Sequence, residues 1–317
     1  MRTAKAGALN VSVIGLGCWQ FGSREWGYGD SYAHGVAGDI LHRALDLGVT
    51  LIDTAEAYGF GRSERIVGKA LGARRGEAVV ATKLFPILPV PPIVVNRGNG
   101  SARRLAIDTI DLYQVHQPNP LVPDRFIMPG MRRLLDAGTI ANVGVSNYSL
   151  QRWHAADDAL GAPVVSNQVE YSLVQRKPER DLLKWAQDND RLVIAYSPLA
   201  QGLLGGRYGP DNRPGGVRAM NPHFTPESLE RSAPLLAALR QIAKSHDATP
   251  AQVSLAWLVQ HPNVVAIPGA SSVEQLEHNA AAADLDLTEA EIRELDELSA
   301  AYRPAGMASV AKSLVRR

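Results

Sequence analysis

Short apolar runs rich in β-branched residues alternate along the chain with longer amphipathic stretches. Eight of these runs have the length and composition of β-strands, and they read VSVIGLGC, TLIDTA, AVVATKL, IDLYQVHQ, ANVGVSN, VVSNQVEY, LVIAYSPL and VVAIPGA. Several are apolar almost throughout, which is typical of a parallel sheet covered on both faces. Helical patterns such as GDILHRALDLG and SERIVGKALG lie between them, and Gly48 and Gly72 close two of these. Eight β-then-α units predict an α/β fold, a (β/α)8 TIM barrel.

The main alternative to a barrel is an open, doubly wound sheet, which six or seven β-then-α units would also suit. The G-x-G in GLGCW lacks the third glycine and the later acidic residue of a Rossmann turn, so it gives that alternative no support. No stretch has the composition of an interdomain linker, so we expect a single domain over residues 1–317. Disorder is the expectation for its weakly basic tail, about residues 304–317.

Two segments interrupt the regular alternation. Residues 86–100, PILPVPPIVVNRGNG, are rich in proline and glycine, which predicts a third helix that is short, late or irregular. Residues 200–226 form a long Gly/Pro-rich loop after the seventh strand, and loops of this length are usually functional or mobile. After this loop, Thr249 and Pro250 are expected to be the N-cap and first residue of a helix.

Composition narrows the classes of partner. The formal net charge of +1 implies no broad attraction to nucleic acid or to an anionic membrane, so we expect neither as a partner. Cys18 is the only cysteine, which rules out an intrachain disulfide and suits a reducing compartment. The N-terminal residues do not have the pattern of a secretory leader, and no apolar run approaches the roughly 20 residues of a membrane span. We expect a cytoplasmic protein, and the oligomeric state stays open.

Polar side chains stand at or near the ends of the predicted strands, where a core would not otherwise place them. Unpaired buried charge costs several kcal/mol, so these residues need a functional or a pairing explanation. In a barrel the carboxyl ends of the strands converge on one face, where active sites are built. The residues in question are Asp53, Lys83, His116, Ser146, Asn147, Gln168, Tyr196 and Ser271.

Seven motifs in order resemble the aldo-keto reductases, in particular the bacterial reductases related to the potassium-channel β subunits. They are GVTLIDTAEAYGFGRSERIVGKAL, VVATKL, IDLYQVHQPNP, GVSNYS, NQVEYS, AYSPLAQGLLGGRY and AIPGASSVEQLEHN, and the resemblance covers roughly residues 11 to 300. It implies a barrel enzyme that transfers hydride from a nicotinamide cofactor to an aldehyde or ketone.

The resemblance also implies a catalytic tetrad of Tyr58, Asp53, Lys83 and His116. A tyrosine hydroxyl, with a pKa of about 10, is a weak acid at neutral pH. We expect the ammonium of Lys83 to lower that pKa, Asp53 to hold Lys83, and a neutral His116 to orient the carbonyl oxygen. Without the motif each residue has a plainer interpretation: a surface tyrosine, a helix N-cap, a solvated lysine and a structural histidine.

For the cofactor, the resemblance assigns the carboxamide to Ser146, Asn147 and Gln168, and the stacking aromatic to Tyr196. A loop from Ser197 to Leu203, with Arg207, is expected to cover the pyrophosphate, and the segment after the last strand to bind adenosine. The full set of implied contacts is Trp19, Asp53, Ser146, Asn147, Gln168, Tyr196, Ser197, Pro198, Leu199, Gln201, Gly202, Leu203, Arg207, Ile267, Gly269, Ser271, Gln275, His278 and Asn279.

Two positions depart from the family pattern. Many relatives carry Lys or Arg after the last strand for the 2′-phosphate, whereas this chain has Gly-Ala-Ser-Ser, so the charge is expected from Arg207, Arg213 or Arg218. His278 stands where a glutamate commonly contacts adenine. We expect NADP(H) as the cofactor, with NAD(H) as the alternative, and no metal.

Trp19, Tyr58, Phe85 and His116 are expected to line the substrate pocket, with Phe21, Trp26 and Tyr28 as further aromatic candidates; these aromatic residues indicate a carbonyl substrate with an apolar portion. Two other functions compete with a reductase. A regulatory module that senses the cofactor with little turnover would share these motifs. A metal-dependent barrel hydrolase would need a His-x-His or a compact ligand set, which the strand ends lack.

Overall fold

The computed structural model describes residues 1–22, 35–306 and 309–310. The chain begins with an antiparallel hairpin of β1 (Thr3–Ala6) and β2 (Leu9–Ser12), which the sequence patterns did not predict. The part of the chain that is described then forms one parallel sheet of eight neighbouring strands. In chain order they are β3 (Leu16–Gly17), β4 (Leu51–Asp53), β5 (Val79–Leu84), β6 (Leu112–Val115), β7 (Val143–Ser146), β8 (Ser166–Glu170), β9 (Leu192–Tyr196) and β10 (Val264–Ala266).

The sheet closes between its first and last strands. Gly15 N donates to Ala266 O at 2.8 Å, Ala266 N donates to Val13 O at 2.9 Å, and Gly17 forms a parallel bridge with Gly269. A Cβ on Gly17 would lie 2.8 Å from Ile267 O, so only glycine permits this approach. The predicted (β/α)8 barrel in a single domain is confirmed, and the open sheet is excluded.

Helices follow the strands and cover the barrel. They are α1 (Trp19–Gly22), α2 (Ala37–Asp46), α3 (Arg62–Leu71), α4 (Pro91–Leu105), α5 (Asp124–Asp136), α6 (Leu150–Leu160), α7 (Leu182–Asp188), α8 (Pro226–Ser245), α9 (Pro250–Val259), α10 (Val273–Ala281) and α11 (Glu289–Ala301). Gly48 and Gly72 close α2 and α3 with positive φ, as predicted. Thr249 caps α9 through a capping box with Gln252, which confirms the start expected at Thr249 and Pro250.

The third helix, expected to be short, late or irregular, begins late but is neither short nor irregular. α4 begins late, at Pro91, but continues regularly for 15 residues. Prolines at its first two positions cost no hydrogen bond, because those N–H groups have no partner within a helix. A Cβ on Gly98 would lie 2.5 Å from Leu134 Cδ1, so the glycine lets α4 and α5 pack closely rather than breaking the helix.

Two other segments of the structure differ in detail from what the sequence predicts. The first apolar run is divided, because residues up to Ser12 belong to the hairpin and only Leu16–Gly17 joins the barrel. The long loop at 200–226 contains short 3₁₀ helices at Ala200–Gly205, Gly216–Met220 and Pro222–Phe224. Its Tyr208 and Phe224 are buried, with ring centroids 5.2 Å apart.

The expected tail and two pocket candidates are only partly covered. Ala305 is buried and its N–H donates to Ser228 Oγ at 2.8 Å, so this part of the tail packs on α8. Residues 307–308 and 311–317 lie outside the described residues, and the expected disorder there stays a prediction. Trp26 and Tyr28 also lie outside them. Among the described helices, none has both the length and the apolarity that crossing a membrane requires.

Candidate active site

A buried ion pair lies at the carboxyl end of the barrel. Lys83 Nζ in β5 is 2.5 Å from Asp53 Oδ1 at the end of β4, and both side chains are almost fully buried. Lys83 Nζ also donates to Thr54 O at 2.9 Å. Burial lowers the pKa of Lys83, but Asp53 and Tyr58 outweigh that effect and leave the pKa above its usual value. Lys83 is therefore a buried ammonium, not the solvated strand-end lysine of the plainer interpretation.

Two glutamine side chains complete the hydrogen bonding of Asp53. Its Oδ2 accepts from Gln168 Nε2 at 2.8 Å and from Gln114 Nε2 at 3.4 Å. Gln114 pairs with Lys83 in the strand register, so it lies beside the ion pair within the barrel. The sequence analysis missed Gln114, although a polar residue inside the apolar run LYQV was the signal available.

Tyr58 meets this pair from the loop after β4. Its hydroxyl is 3.2 Å from Lys83 Nζ, and its N–H donates to Ala55 O at 3.1 Å. The end of α1 packs against the same backbone: a Cβ on Gly22 would lie 2.5 Å from the carbonyl carbon of Tyr58. The structure thus brings together the phenol, ammonium and carboxylate that sequence analysis grouped.

Lys83 lowers the pKa of the Tyr58 hydroxyl, as expected, but the net shift of that pKa is upward. Burial raises the pKa of the hydroxyl above its usual value, and Lys83 lowers it by less than burial raises it. Asp53 also raises the pKa, because its negative charge opposes the effect of the ammonium on the phenol. Tyr58 is consequently protonated at neutral pH.

His116 follows β6 and faces Tyr58. The two ring centroids are 5.6 Å apart with an interplanar angle of 82°, and Phe85 contacts the histidine edge-on at 6.0 Å. Burial, then the positive charge of Lys83, lowers the pKa of His116 to about 3. The neutral imidazole expected from the sequence is what this environment favours. Its Nδ1 is buried and has no hydrogen-bond partner among the described residues.

The residues expected at the carboxamide form one hydrogen-bonded chain. Ser146 Oγ donates to Gln168 O at 2.8 Å, and Asn147 Nδ2 donates to Ser146 Oγ at 3.1 Å. Tyr196 OH donates to Asn147 Oδ1 at 3.1 Å. Asn147 has φ of 61°, which turns its side chain at the strand end. Strands β7, β8 and β9 therefore place Ser146, Asn147, Gln168 and Tyr196 together.

The loop expected over the pyrophosphate has an unusual backbone. Ser197, Ala200, Gln201 and Gly202 all have positive φ. Left-handed residues beside right-handed ones can form a concave group of N–H donors for an anion. In this loop Ala200 N and Gly202 N donate to Ser197 O and Leu199 O, each at 2.9 Å. Pro198 and Leu203 of this loop are buried and Leu199 is partly buried.

Of the three arginines expected to supply positive charge, Arg207 is exposed, with its guanidinium 4.9 Å from the ring centroid of Tyr208. Arg213 and Arg218 are partly buried. The described contacts connect neither Arg207 nor Arg213 to the segment after β10.

The hydrogen bonds described for the expected adenosine segment are mostly made within the segment itself. Ser271 donates through both N and Oγ to Gln275 Oε1, at 2.8 and 2.9 Å, and Asn279 Nδ2 donates to Gly269 O at 3.3 Å. His278 is partly buried and Ile267 is buried. The side chain of Gln20 lies against Gly269, where an added Cβ would overlap it, a contact that sequence reasoning missed.

The remaining predicted pocket residues differ in burial. Trp19 is partly buried in α1, and Phe85 is 38% exposed two residues after Lys83. Phe21 is buried. Within the described ranges, no three or more His, Cys, Asp or Glu side chains group as a metal site would require.

Fold and site together define a (β/α)8 barrel protein whose polar residues meet at the carboxyl ends of its strands, the usual place of a barrel active site. The Aldo/keto reductase family model matches residues 13–300. The chain belongs to the aldo/keto reductase family and is an oxidoreductase by that membership.

Individual proteins agree with the family match. An uncharacterised oxidoreductase of Mycobacterium tuberculosis is 61% identical over 310 residues, covering 98% of this chain and 96% of the relative. An aldo/keto reductase from Klebsiella pneumoniae, solved with NADP and acetate, is 31% identical with a TM-score of 0.77 over 95% of each chain. The glycerol dehydrogenase of Gluconobacter oxydans is 28% identical, with a TM-score of 0.87 over 96% of this chain and 97% of that one.

Proposed function

We propose that this protein is an NADP(H)-dependent carbonyl reductase that converts an aldehyde or ketone to an alcohol. The observation that carries the proposal is the position of Lys83 Nζ, which contacts both the Asp53 carboxylate and the Tyr58 hydroxyl beside the ring of His116. A proton donor, a charge that stabilises its conjugate base and a neutral hydrogen-bond donor are what carbonyl reduction requires of a protein.

The residues at the strand ends fit a nicotinamide cofactor. A carboxamide needs both a donor and an acceptor, and Gln168 keeps its Oε1 free of partners among the described residues while its Nε2 binds Asp53. When bound, the cofactor supplies the hydride that adds to the carbonyl carbon. The Klebsiella relative solved with NADP supports NADP(H) as the group that this site accepts.

Side chains of the protein would supply the proton and stabilise the charge that remains. The Tyr58 O–H donates its proton to the carbonyl oxygen as negative charge develops there. Lys83 donates a hydrogen bond to the phenolate that remains, and Asp53 keeps the ammonium in place. Neutral His116 donates an N–H to the same carbonyl oxygen and thereby orients it.

The substrate we propose is a small carbonyl compound with an apolar portion. Trp19 and Phe85 place aromatic surface at the same strand-end face as Tyr58 and His116, and the Phe85 ring contacts that of His116. A second candidate, a regulatory module that senses the cofactor, has no observation in its favour in the contacts described.

Replacing Tyr58 with phenylalanine tests the proposal directly. Tyr58→Phe removes the proton donor, so kcat for NADPH-dependent aldehyde reduction should fall by roughly 10² to 10⁴-fold. Tyr113→Phe is the matched control, because Tyr113 is a buried tyrosine of β6 outside the site, and it should retain near-normal turnover. Each variant would be titrated with NADPH and with NADH, and binding followed by tryptophan fluorescence. NADPH should bind each variant as tightly as it binds the wild type, and more tightly than NADH does. Unaltered turnover by Tyr58→Phe would refute the assigned role, and tighter binding of NADH would overturn the cofactor assignment.

A further inference from the structure

Four charged side chains form a network on the outside of β5, between the barrel and helices α3 and α4. They carry two negative and two positive charges and are Glu56, Glu64, Arg97 and Arg104. The two carboxylates are the more deeply buried partners: the side chain of Glu64 is fully buried and that of Glu56 is 9% exposed. Buried carboxylates at this depth require partners, and the arginines supply them.

Glu56 is the member of this network that contacts the candidate active site. Its Oε1 accepts from Phe85 N at 2.5 Å, and Arg97 Nε lies 3.0 and 3.1 Å from its two oxygens. Its own backbone N–H donates to Lys83 O at 3.4 Å. Glu56 thus extends the pairing of β4 with β5 beyond the end of β4, where regular sheet hydrogen bonding has ended.

The positions of Glu56 and Phe85 in the chain connect these contacts to the candidate active site. Glu56 precedes Tyr58 by two residues, and Phe85 follows Lys83 by two. One carboxylate therefore joins the loop that carries the proposed proton donor to the loop that carries the aromatic wall against His116. Movement of either loop would change the distance of 3.2 Å between the Tyr58 hydroxyl and Lys83 Nζ.

We propose that Glu56, held by Arg97 and Arg104, is a positioning residue that fixes Tyr58 and Phe85 relative to each other for proton transfer. It acts through the backbone of the two loops rather than by touching the reacting atoms. The inference rests on the proposed function, and misplacement of reacting groups by about 1 Å is enough to cost large factors in rate.

The same strand offers a matched control at its opposite end. Asp111 Oδ2 accepts from Val80 N at 2.7 Å and pairs with Arg75 at 2.5 Å. This carboxylate makes the same two kinds of contact as Glu56, but at the amino end of β5, away from Tyr58. Loss of either carboxylate removes a backbone hydrogen bond and ion pairing to arginine. Glu56 is the more buried of the two, 9% against 28% exposed, and pairs with a second arginine, so the unfolding midpoint of each variant is needed to separate a loss of stability from a loss of positioning.

The experiment compares Glu56→Ala and Glu56→Gln with Asp111→Ala and Asp111→Asn in the full chain. Steady-state aldehyde reduction would be measured with NADPH and with C4-deuterated NADPH, together with the NADPH dissociation constant and the midpoint of thermal unfolding. We expect Glu56→Ala to lower kcat by about tenfold or more, to change the kinetic isotope effect and to leave the dissociation constant nearly unaltered. Glu56→Gln keeps an acceptor for Phe85 N and should recover part of kcat.

The Asp111 variants should also lose thermal stability, while their kcat stays near the wild-type value. Equal kcat values for Glu56→Ala and Asp111→Ala would overturn the positioning role. Should Glu56→Ala fail to fold, Arg97→Met provides the test, because it removes one partner of Glu56 and keeps the bond to Phe85 N; an unchanged kcat and isotope effect in that variant would likewise overturn the role. If Tyr58→Phe turned over normally, the proposed function itself would fail, and that result is independent of the Glu56 variants.

Discussion

Lys83 is buried and yet remains positively charged. Its side chain is fully buried, yet its pKa lies above the usual value, because Asp53 and Tyr58 favour the ammonium more than burial disfavours it. Asp53 is held in turn by hydrogen bonds that it accepts from two glutamines. The cost of burying the carboxylate and the ammonium is thus offset by pairing, and the positive charge stays available beside a protonated phenol.

At the residue scale, the pH dependence of catalysis follows from these environments. The competent form has His116 neutral and Tyr58 protonated. The pKa of His116 is lowered to about 3, so it stays neutral as pH falls, and the pKa of Tyr58 is raised above its usual value, so it stays protonated as pH rises. We expect kcat/KM for carbonyl reduction to be flat between about pH 5 and about pH 9 when measured in constant ionic strength. A marked inflection near the ordinary histidine pKa would contradict the neutral assignment of His116.

At the element scale, glycines set how closely helices approach one another. Gly68 in α3 lies against the end of α4, where an added Cβ would overlap the backbone oxygen of Leu105. Helix propensity alone favours alanine over glycine by roughly 0.5–1 kcal/mol. At Gly68 the contact is with backbone, which has no rotamer to adjust, so the packing requirement outweighs propensity.

Substitution of two helical glycines separates these effects. Gly68→Ala should lower the free energy of unfolding by roughly 1–3 kcal/mol because α3 and α4 must move apart. Gly38→Ala in α2 should raise it by roughly 0.5–1 kcal/mol, because no heavy atom of the described residues lies within 4 Å of its added Cβ. Urea unfolding of both variants and the wild type measures the changes. A stabilised Gly68→Ala protein would contradict the packing described.

At the scale of the whole molecule, burial of neutral histidines couples folding to pH. Burial lowers the pKa of His116, His223 and His261, and these residues lie in three different parts of the fold. In the unfolded chain each should titrate near 6.5. Below that pH the unfolded chain binds protons that the native protein does not, so stability is full above about 6.5 and declines as pH falls toward the native pKa values.

The thermal unfolding midpoint should therefore be lower at about pH 5.5 than at about pH 7.5, with His116 alone able to contribute up to about 1.4 kcal/mol per pH unit. Replacing His116 with glutamine, which does not titrate, should reduce this pH dependence. A midpoint that rises on acidification would contradict the lowered pKa values of these three histidines.

The local patterns of this chain were enough for its architecture. Eight apolar runs each contain a barrel strand, and Thr249 and Gly72 mark helix ends as predicted, because period, capping and turn preferences act over a few residues. They predicted the late start of α4 but not its regular length, because Gly98 reads locally as a helix breaker although it admits Leu134 from another helix. The motif likewise grouped the four residues of the proposed tetrad, but it did not show that the pKa of Tyr58 lies above its usual value, because that depends on the sum of burial and two opposed charges.

The amino-acid sequence by itself determined the number and order of the β-then-α units and the chemical types at the strand ends, because both are written in consecutive residues. Tertiary structure decided which distant groups meet. Gln114 and Gln168 donate hydrogen bonds to Asp53, Gly17 packs against Ile267 where the barrel closes, and Glu56 accepts the N–H of Phe85. These pairings depend on the register and closure of the sheet. Hydrogen bonds and charges act over a few ångströms of space, whatever the separation along the chain.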